Sequence, residues 1–287
     1  MKLVTFLKAG QERVGVLTED GAAVRPLPCA DMQALIETTG LARLGELVRR
    51  AEEAVPLSVV TLCAPIPRPR QDVICLGINY RAHAQEADRY NADAFHKEEK
   101  AVPIYFSKRV TEAVAPEGFI ESHPGLVERL DYEAELAVII GKTAKNVSAA
   151  DAAADYIFGY TVLNDVSARV LQTSHKQWYF GKSLDGFTPM GPCITTADEI
   201  AFPPRLAISA RVNGELRQDA LTDQLITGIG DILAELSSGM TLLPGTIIAT
   251  GTPAGVGMGF DPPRFLKSGD VVECTIEKIG TLRNPVR

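Results

Sequence analysis

One segment constrains this chain more than any other: Asp131-Tyr132-Glu133-Ala134-Glu135-Leu136-Ala137-Val138-Ile139-Ile140-Gly141. Branched apolar residues dominate it and a glycine ends it, which predicts a β-strand. Strand side chains alternate between faces. Glu133 and Glu135 therefore share a face with Ala137 and Ile139, while Ala134, Leu136, Val138 and Ile140 take the other. Two carboxylates roughly 7 Å apart on an otherwise apolar strand repel each other and resist burial. Either something positive sits between them, at a metal or catalytic site, or the strand is a solvated edge.

The other elements must decide which. The chain has 287 residues, 46% hydrophobic and 23% charged, enough for one large soluble domain or a core with a small appendage. A net charge of −7 argues against a nucleic-acid or anionic-membrane partner. Cys29, Cys63, Cys75, Cys193 and Cys274 are scattered without a CxxC pair, the pattern of buried thiols in a reducing compartment. Met1 leads straight into an alternating strand pattern instead of a signal peptide, and no apolar run is long enough to span a bilayer. A cytoplasmic protein is the expectation.

Residues 1–65 read as a small unit of their own. Lys2–Leu7, Arg13–Leu17 and Ala22–Pro26 are strand candidates. Asp31–Glu53 has helical spacing, with Asp31 as N-cap and Gly40 as a break. Pro65-Ile66-Pro67-Arg68-Pro69 reads as a stiff linker. Beyond it, Val73–Leu76 is a buried strand, and a helix over Tyr80–Ala87 would put His83 and Glu86 on one face. A carboxylate beside an imidazole orients the ring and raises its basicity, as a general base requires; surface decoration is the plainer alternative. Residues 88–100, polar and mixed in charge, are expected to form a surface segment or lid. Val102–Ser107 is a strand followed by Lys108, and Ser148–Asp155 is a short helix candidate. Tyr156–Leu163 is a strand that delivers Asp165 at its end, either as a ligand or as a helix cap.

The Gly181-Lys182-Ser183 tripeptide is not a phosphate loop, because position 176 is lysine where that motif needs glycine. Asn213-Gly214 between two alternating runs signals a type I′ hairpin. Thr222–Ser237 reads as an amphipathic helix. Thr246–Thr250 is a buried strand leading into Gly251-Thr252-Pro253-Ala254-Gly255-Val256-Gly257, a loop whose N–H groups suit an anion or simply make a tight turn. Taken together, Glu133, Glu135, Asp165, Lys182 and the His83/Glu86 pair are polar groups on apolar elements. Three carboxylates without cysteine or a second well-spaced histidine select a hard divalent cation, magnesium first, with manganese or calcium as alternatives to it. Such an ion beside a lysine suits formation of an enolate on a chelating substrate.

These residues resemble the fumarylacetoacetate hydrolase superfamily over roughly residues 70–287. The matching pieces are collinear: Leu76-Gly77-Ile78-Asn79-Tyr80 with His83 and Glu86, Tyr105-Phe106-Ser107-Lys108, Asp131–Leu136, Asn164–Arg169, Gly181-Lys182-Ser183 and Thr250–Gly255. The resemblance implies a mainly β fold with some α, a mixed β-sandwich roll carrying the small N-terminal α+β appendage, usually a homodimer. It implies magnesium or manganese on Glu133, Glu135 and Asp165. It makes Lys182 a catalytic or substrate-binding lysine, and His83 with Glu86 a water-activating dyad on a lid helix. Tyr80, Lys108, Gln172 and Thr252 are then substrate contacts. The local HxxE is similar to the acylpyruvase branch, whereas Arg109-Val110-Thr111-Glu112 departs from the small loop that many members carry after the lysine. The implied reaction is C–C hydrolysis of a 1,3-diketo acid; decarboxylation or isomerisation of a 2-oxo diacid uses the same enolate, and a catalytically silent metal-binding protein is the remaining reading.

Overall fold

Alternating apolar patterns become strands through most of the chain. The computed structural model describes residues 1–87, 102–148 and 155–287. The expectations of a lid over 88–100 and of a helix over Ser148–Asp155 fall wholly or largely outside those residues.

Strands β1 (Lys2–Lys8), β2 (Gln11–Leu17) and β3 (Ala23–Pro26) come first, followed by helices α1 (Met32–Thr38) and α2 (Gly40–Arg49). The Asp31 side chain caps α1 by accepting from the Ala34 N–H at 2.7 Å. Short strands β4 (Val55–Pro56) and β5 (Thr61–Leu62) precede β6 (Val73–Gly77), α3 (Arg81–Ala87) and β7 (Ile104–Lys108). Then come β8 (Leu130–Asp131), β9 (Ala134–Ile140), β10 (Ile157–Asn164), β11 (Ser167–Ala168), α4 (Arg169–Ser174) and α5 (Tyr179–Lys182). The chain closes with β12 (Met190–Thr196), β13 (Ala207–Val212), β14 (Glu215–Leu221), α6 (Ile229–Gly239), β15 (Ile247–Ala249), β16 (Val271–Ile276) and β17 (Gly280–Pro285).

The large sheet runs β4-β3-β2-β1-β12-β10-β9-β15-β6-β7, with β5 also on β1. Its pairs are antiparallel except β15 with β6. A second sheet, β14-β13-β16-β17, packs over β9 and β10. This explains why every residue of β9 is buried instead of every second one. Leu136, Val138 and Ile140 pack with Ile208, Val272 and Ile276 of the second sheet. Ala137 and Ile139 pack on the opposite side with Leu3, Leu35, Leu44 and Ile247. The fold is therefore mainly β with few helices, as the family resemblance implied.

The N-terminal segment shares this sheet and core. Strand β1 pairs with β12 (Leu3 opposite Ile194), and Leu35 of α1 is fully buried against the Ile139 face. The proline-rich stretch after it is docked: Thr5 Oγ1 donates to the Pro65 carbonyl at 2.7 Å, and Ile66 is buried.

Two segments differ from the sequence expectation. The acidic stretch is not one strand: it breaks at Tyr132-Glu133, so that Asp131 belongs to β8 and pairs with Ser167 of β11. The helix expected from Thr222 starts at Ile229, because Thr222–Gln224 forms a 3-10 turn and Gly228 enters α6 in an extended conformation. The hairpin at Asn213-Gly214 has φ of +52° and +81°, as a type I′ turn requires.

Leu35→Ala opens a cavity in the core that α1 shares with β9. It is expected to cost about 2–5 kcal/mol and to lower the melting temperature of the whole chain in a single circular-dichroism transition. Two separated transitions would show that residues 1–65 fold on their own.

Candidate metal and acid–base site

The three predicted carboxylates converge because of strand register. Leu163 of β10 sits opposite Glu135, and Asn164 opposite Ala134, so Asp165 leaves the end of β10 beside the start of β9. The Asp165 N–H donates to the Glu133 carbonyl at 2.9 Å, and the Glu133 N–H donates to Asn164 Oδ1 at 3.0 Å. One carboxylate oxygen from each of Glu133, Glu135 and Asp165 lies within 4.8 Å of the other two, and all three residues are buried.

Three buried cations surround them. Lys182 Nζ lies 2.7 Å from Glu133 Oε2 and 2.7 Å from Asp165 Oδ2. Lys108 Nζ lies 2.8 Å from Asp165 Oδ1 and also donates to the carbonyls of Val166 and Lys182. Arg169 Nη1 reaches Glu133 Oε1 at 2.6 Å, and its Nε donates to Asp131 Oδ2 at 2.8 Å. Four buried carboxylates, Asp131 included, therefore face three cations among the described residues. The surplus negative charge rests on Glu135. Its described partner is the Gly251 N–H at 2.8 Å, a position with φ +97° that suits glycine.

Ionisation follows this imbalance. Burial, then repulsion by Asp165 and Glu133, pushes the Glu135 carboxyl well above the usual carboxylate range. Burial acts the same way on Glu133, but Lys182 and Arg169 outweigh it and hold that carboxyl low. Burial disfavours the charge on Lys182, yet Asp165 and Glu133 hold its ammonium above the ordinary lysine value. The donor set consists of hard oxygens, and one of them lacks a cation. These residues fit a divalent ion of the magnesium, manganese or calcium type.

The dyad is also assembled. His83 Nδ1 and Glu86 Oε2 are 2.9 Å apart on α3, and Glu86 Oε1 accepts from the Gly255 N–H at 3.0 Å. The glycine-rich loop does hold anions, and they are the chain's own: Gly251 binds Glu135, Gly255 binds Glu86, and Gly257 and Met258 bind Asp131 at 2.7 and 3.0 Å.

A cavity of about 730 Å³ opens onto this cluster and is lined by His83, Glu133, Arg169, Gln172, Lys182 and Thr252, among others. Gln172 Oε1 accepts from Arg169 Nη1 at 3.1 Å, and Thr252 Oγ1 donates to the Ala134 carbonyl at 2.9 Å. The lone tryptophan, Trp178, forms one wall against Gly77, where a Cβ would fall 2.2 Å from the indole. Tyr80 and Lys108 are not on the cavity wall. Tyr80 is buried beneath it and Lys108 is fully enclosed, so their described contacts are with protein. Arg169 and Asp131 received no role from the sequence, although Asp131 continues the alternation of Glu133 and Glu135 toward the N-terminus and its spacing carried the signal.

A buried acidic triad, a lysine and a histidine–carboxylate pair thus meet at one cavity, reaching its wall through Glu133, Lys182 and His83. Residues 72–287 match the family described as fumarylacetoacetate (FAA) hydrolase C-terminal. The chain belongs to this family. It is 47% identical over 230 residues to the oxaloacetate tautomerase YisK of Bacillus subtilis (strain 168), covering 80% of this chain and 74% of that one. A fumarylacetoacetate hydrolase from psychrophilic Exiguobacterium antarcticum superposes with a TM-score of 0.82 at 40% identity, covering 100% of this chain and 99% of that one. A 5-carboxymethyl-2-hydroxymuconate delta-isomerase from Mycobacterium smegmatis does so with a TM-score of 0.77 at 34% identity, covering 100% and 98%.

Three outcomes test this electrostatic arrangement. Saturating Mg²⁺ or Mn²⁺ at a hundredfold over its Kd should stabilise the native protein by about 2.7 kcal/mol, read as a rise in melting temperature that EDTA reverses. Glu135→Gln should lose that rise while remaining at least as stable as the native protein without metal, since it removes the carboxylate that lacks a cation. Lys108→Ala should instead destabilise the fold by about 3–5 kcal/mol by leaving Asp165 Oδ1 and the Val166 and Lys182 carbonyls without their buried cation; wild-type stability with weakened substrate binding would restore Lys108 as a substrate contact.

Proposed function

We propose that this protein is a divalent-metal-dependent enzyme that forms enolates of 2-oxo acids, and that its reaction is keto–enol tautomerisation of an oxaloacetate-type diacid. The observation that carries the reading is the placement of His83, hydrogen-bonded to Glu86 behind it, and of Lys182 on the cavity that Glu133 opens into. The oxaloacetate tautomerase relative supports the choice of reaction.

Glu133, Glu135 and Asp165 would hold the ion. Bound there, it supplies Lewis-acid stabilisation of the charge that develops on the 2-oxo oxygen. The remaining work falls to side chains. Glu86 fixes the His83 ring through Nδ1, which leaves Nε2 as the nitrogen that takes a proton from the carbon next to the 2-oxo group and passes it to the 2-oxo oxygen to give the enol, with the reverse transfer restoring the keto acid. Gly255 holds Glu86 in turn, so the base keeps its orientation without water. Arg169 and Gln172 offer donors to the substrate carboxylate, and Lys182 adds positive charge next to the developing oxyanion.

A second reading is favoured by cavity size. About 730 Å³ is far more than a four-carbon acid fills, which suits a longer diketo acid or unsaturated diacid. With water present, the same dyad would activate it for C–C hydrolysis; without it, the enolate would lead to isomerisation or decarboxylation.

The test is to follow loss of enol-oxaloacetate absorbance with and without EDTA, and to assay acetylpyruvate, fumarylpyruvate and pyruvate release in parallel. Metal-dependent tautomerisation is expected, lowered roughly 10²–10⁴-fold by His83→Ala. No acceleration over the free metal ion would sink the tautomerase reading, and loss of diketone absorbance alone would select the hydrolase.

A further inference from the structure

The proposed acid–base chemistry leaves one cation on the described cavity wall without a role. Helix α4 turns Arg169, Gln172 and Thr173 toward the cavity, and Lys176, just beyond its end, lines the same cavity. Spacings of three and four residues put Arg169, Gln172 and Thr173 in one row, and Lys176 continues the same cavity wall past the helix end. Its two ends differ. Arg169 is buried and ion-paired to Glu133, whereas Lys176 is exposed and forms no ion pair among the described residues. The carboxylate on the described wall, Glu133, is already held by Arg169 and Lys182.

The backbone fixes where this cation stands. Lys176 has φ +59°, a left-handed conformation uncommon for lysine. Its N–H donates to the Thr173 carbonyl, and the Gln177 N–H donates to the His175 carbonyl at 2.7 Å. The connection between α4 and α5 is thus a tight turn with Lys176 in it. The flanking helices carry Arg169 and Lys182, the two cations at the inner end of the cavity.

We propose that Lys176 binds the distal carboxylate of a 2-oxo dicarboxylic acid whose reacting end lies at Arg169 and Lys182, and that it makes the site prefer diacids to monocarboxylic 2-oxo acids. The proposal rests on the 2-oxo acid chemistry proposed above and names the substrate class. The row runs outward from the acidic cluster, as the carbon chain of a diacid would. The flexible four-carbon stem lets the ammonium follow diacids of different length.

Trp178, the lone tryptophan, lines the cavity and reports binding without turnover. Dissociation constants for oxaloacetate and pyruvate are measured from its fluorescence in Mg²⁺ for the native protein and for Lys176→Met, Lys176→Glu and Lys176→Arg. Lys176→Met is expected to weaken oxaloacetate about tenfold more than pyruvate, the loss of one charge-assisted contact at a partly solvated site. Lys176→Glu should widen the gap, and Lys176→Arg should restore most of the diacid preference. Equal weakening of both acids, or none, would overturn the assignment, as would failure of the native protein to bind oxaloacetate more tightly than pyruvate. Tight oxaloacetate binding without metal-dependent tautomerisation would overturn the reaction proposed above, while these affinities would still decide the role of Lys176.

Discussion

Burying Glu135 without a cation of its own among the described residues is the constraint on which the rest of the site depends. Asp131 and Glu133 meet Arg169, Glu133 and Asp165 meet Lys182, and Asp165 also meets Lys108. Each pair offsets part of the desolvation that burial imposes. Glu135 has a backbone N–H instead. A chain would not keep an extra carboxylate against two others in a dry interior for stability; replacing it with an apolar residue would relieve both the burial and the repulsion. The arrangement makes physical sense when a divalent ion supplies the missing charge.

Loop 251–258 turns this local imbalance into a connected site. Its N–H groups hold Glu135, Glu86 and Asp131, so one stretch of backbone locates an acid of the triad, the acid that orients His83 and the acid that orients Arg169. Strand β15 carries the loop in, and Thr250 and Thr252 tie it to the Leu136 and Ala134 carbonyls of β9. A shift of β15 against β9 would therefore displace the His83–Glu86 pair and the acidic triad together. That is a reason for the segment before the loop to be fully buried.

Much of this could be read from residue order. Period-two alternation identified the acidic strand and put Glu133 and Glu135 on one face, and the HxxE spacing placed His83 beside Glu86. What could not be read was tertiary register. The break at Tyr132-Glu133 depends on Asp131 pairing across to β11, over thirty residues away in sequence. Lys108 follows an alternating strand and has the pattern of a residue at a cavity edge. Only the carbonyls of Val166 and Lys182 converging on its ammonium show that it is enclosed. Arg169 escaped notice for a similar reason. A single arginine has no periodicity, and its significance lies in two carboxylates from other elements.

The inner and outer parts of the cavity are built differently, and that difference separates chemistry from selection. At the inner end Lys182, Arg169, Glu133 and His83 each have at least one charged partner and are buried. Substituting any of them disturbs several contacts at once, so the inner end resists piecemeal change. The end of α4 and the α4–α5 connection are exposed, and their side chains at 173, 176 and 177 line the cavity without holding the cluster together. A substitution there changes the outer wall of the cavity and leaves the buried ion-pair cluster in place. Sites of this architecture should thus diverge in substrate first along that turn, since function resides in the residues a fold presents more than in the fold itself.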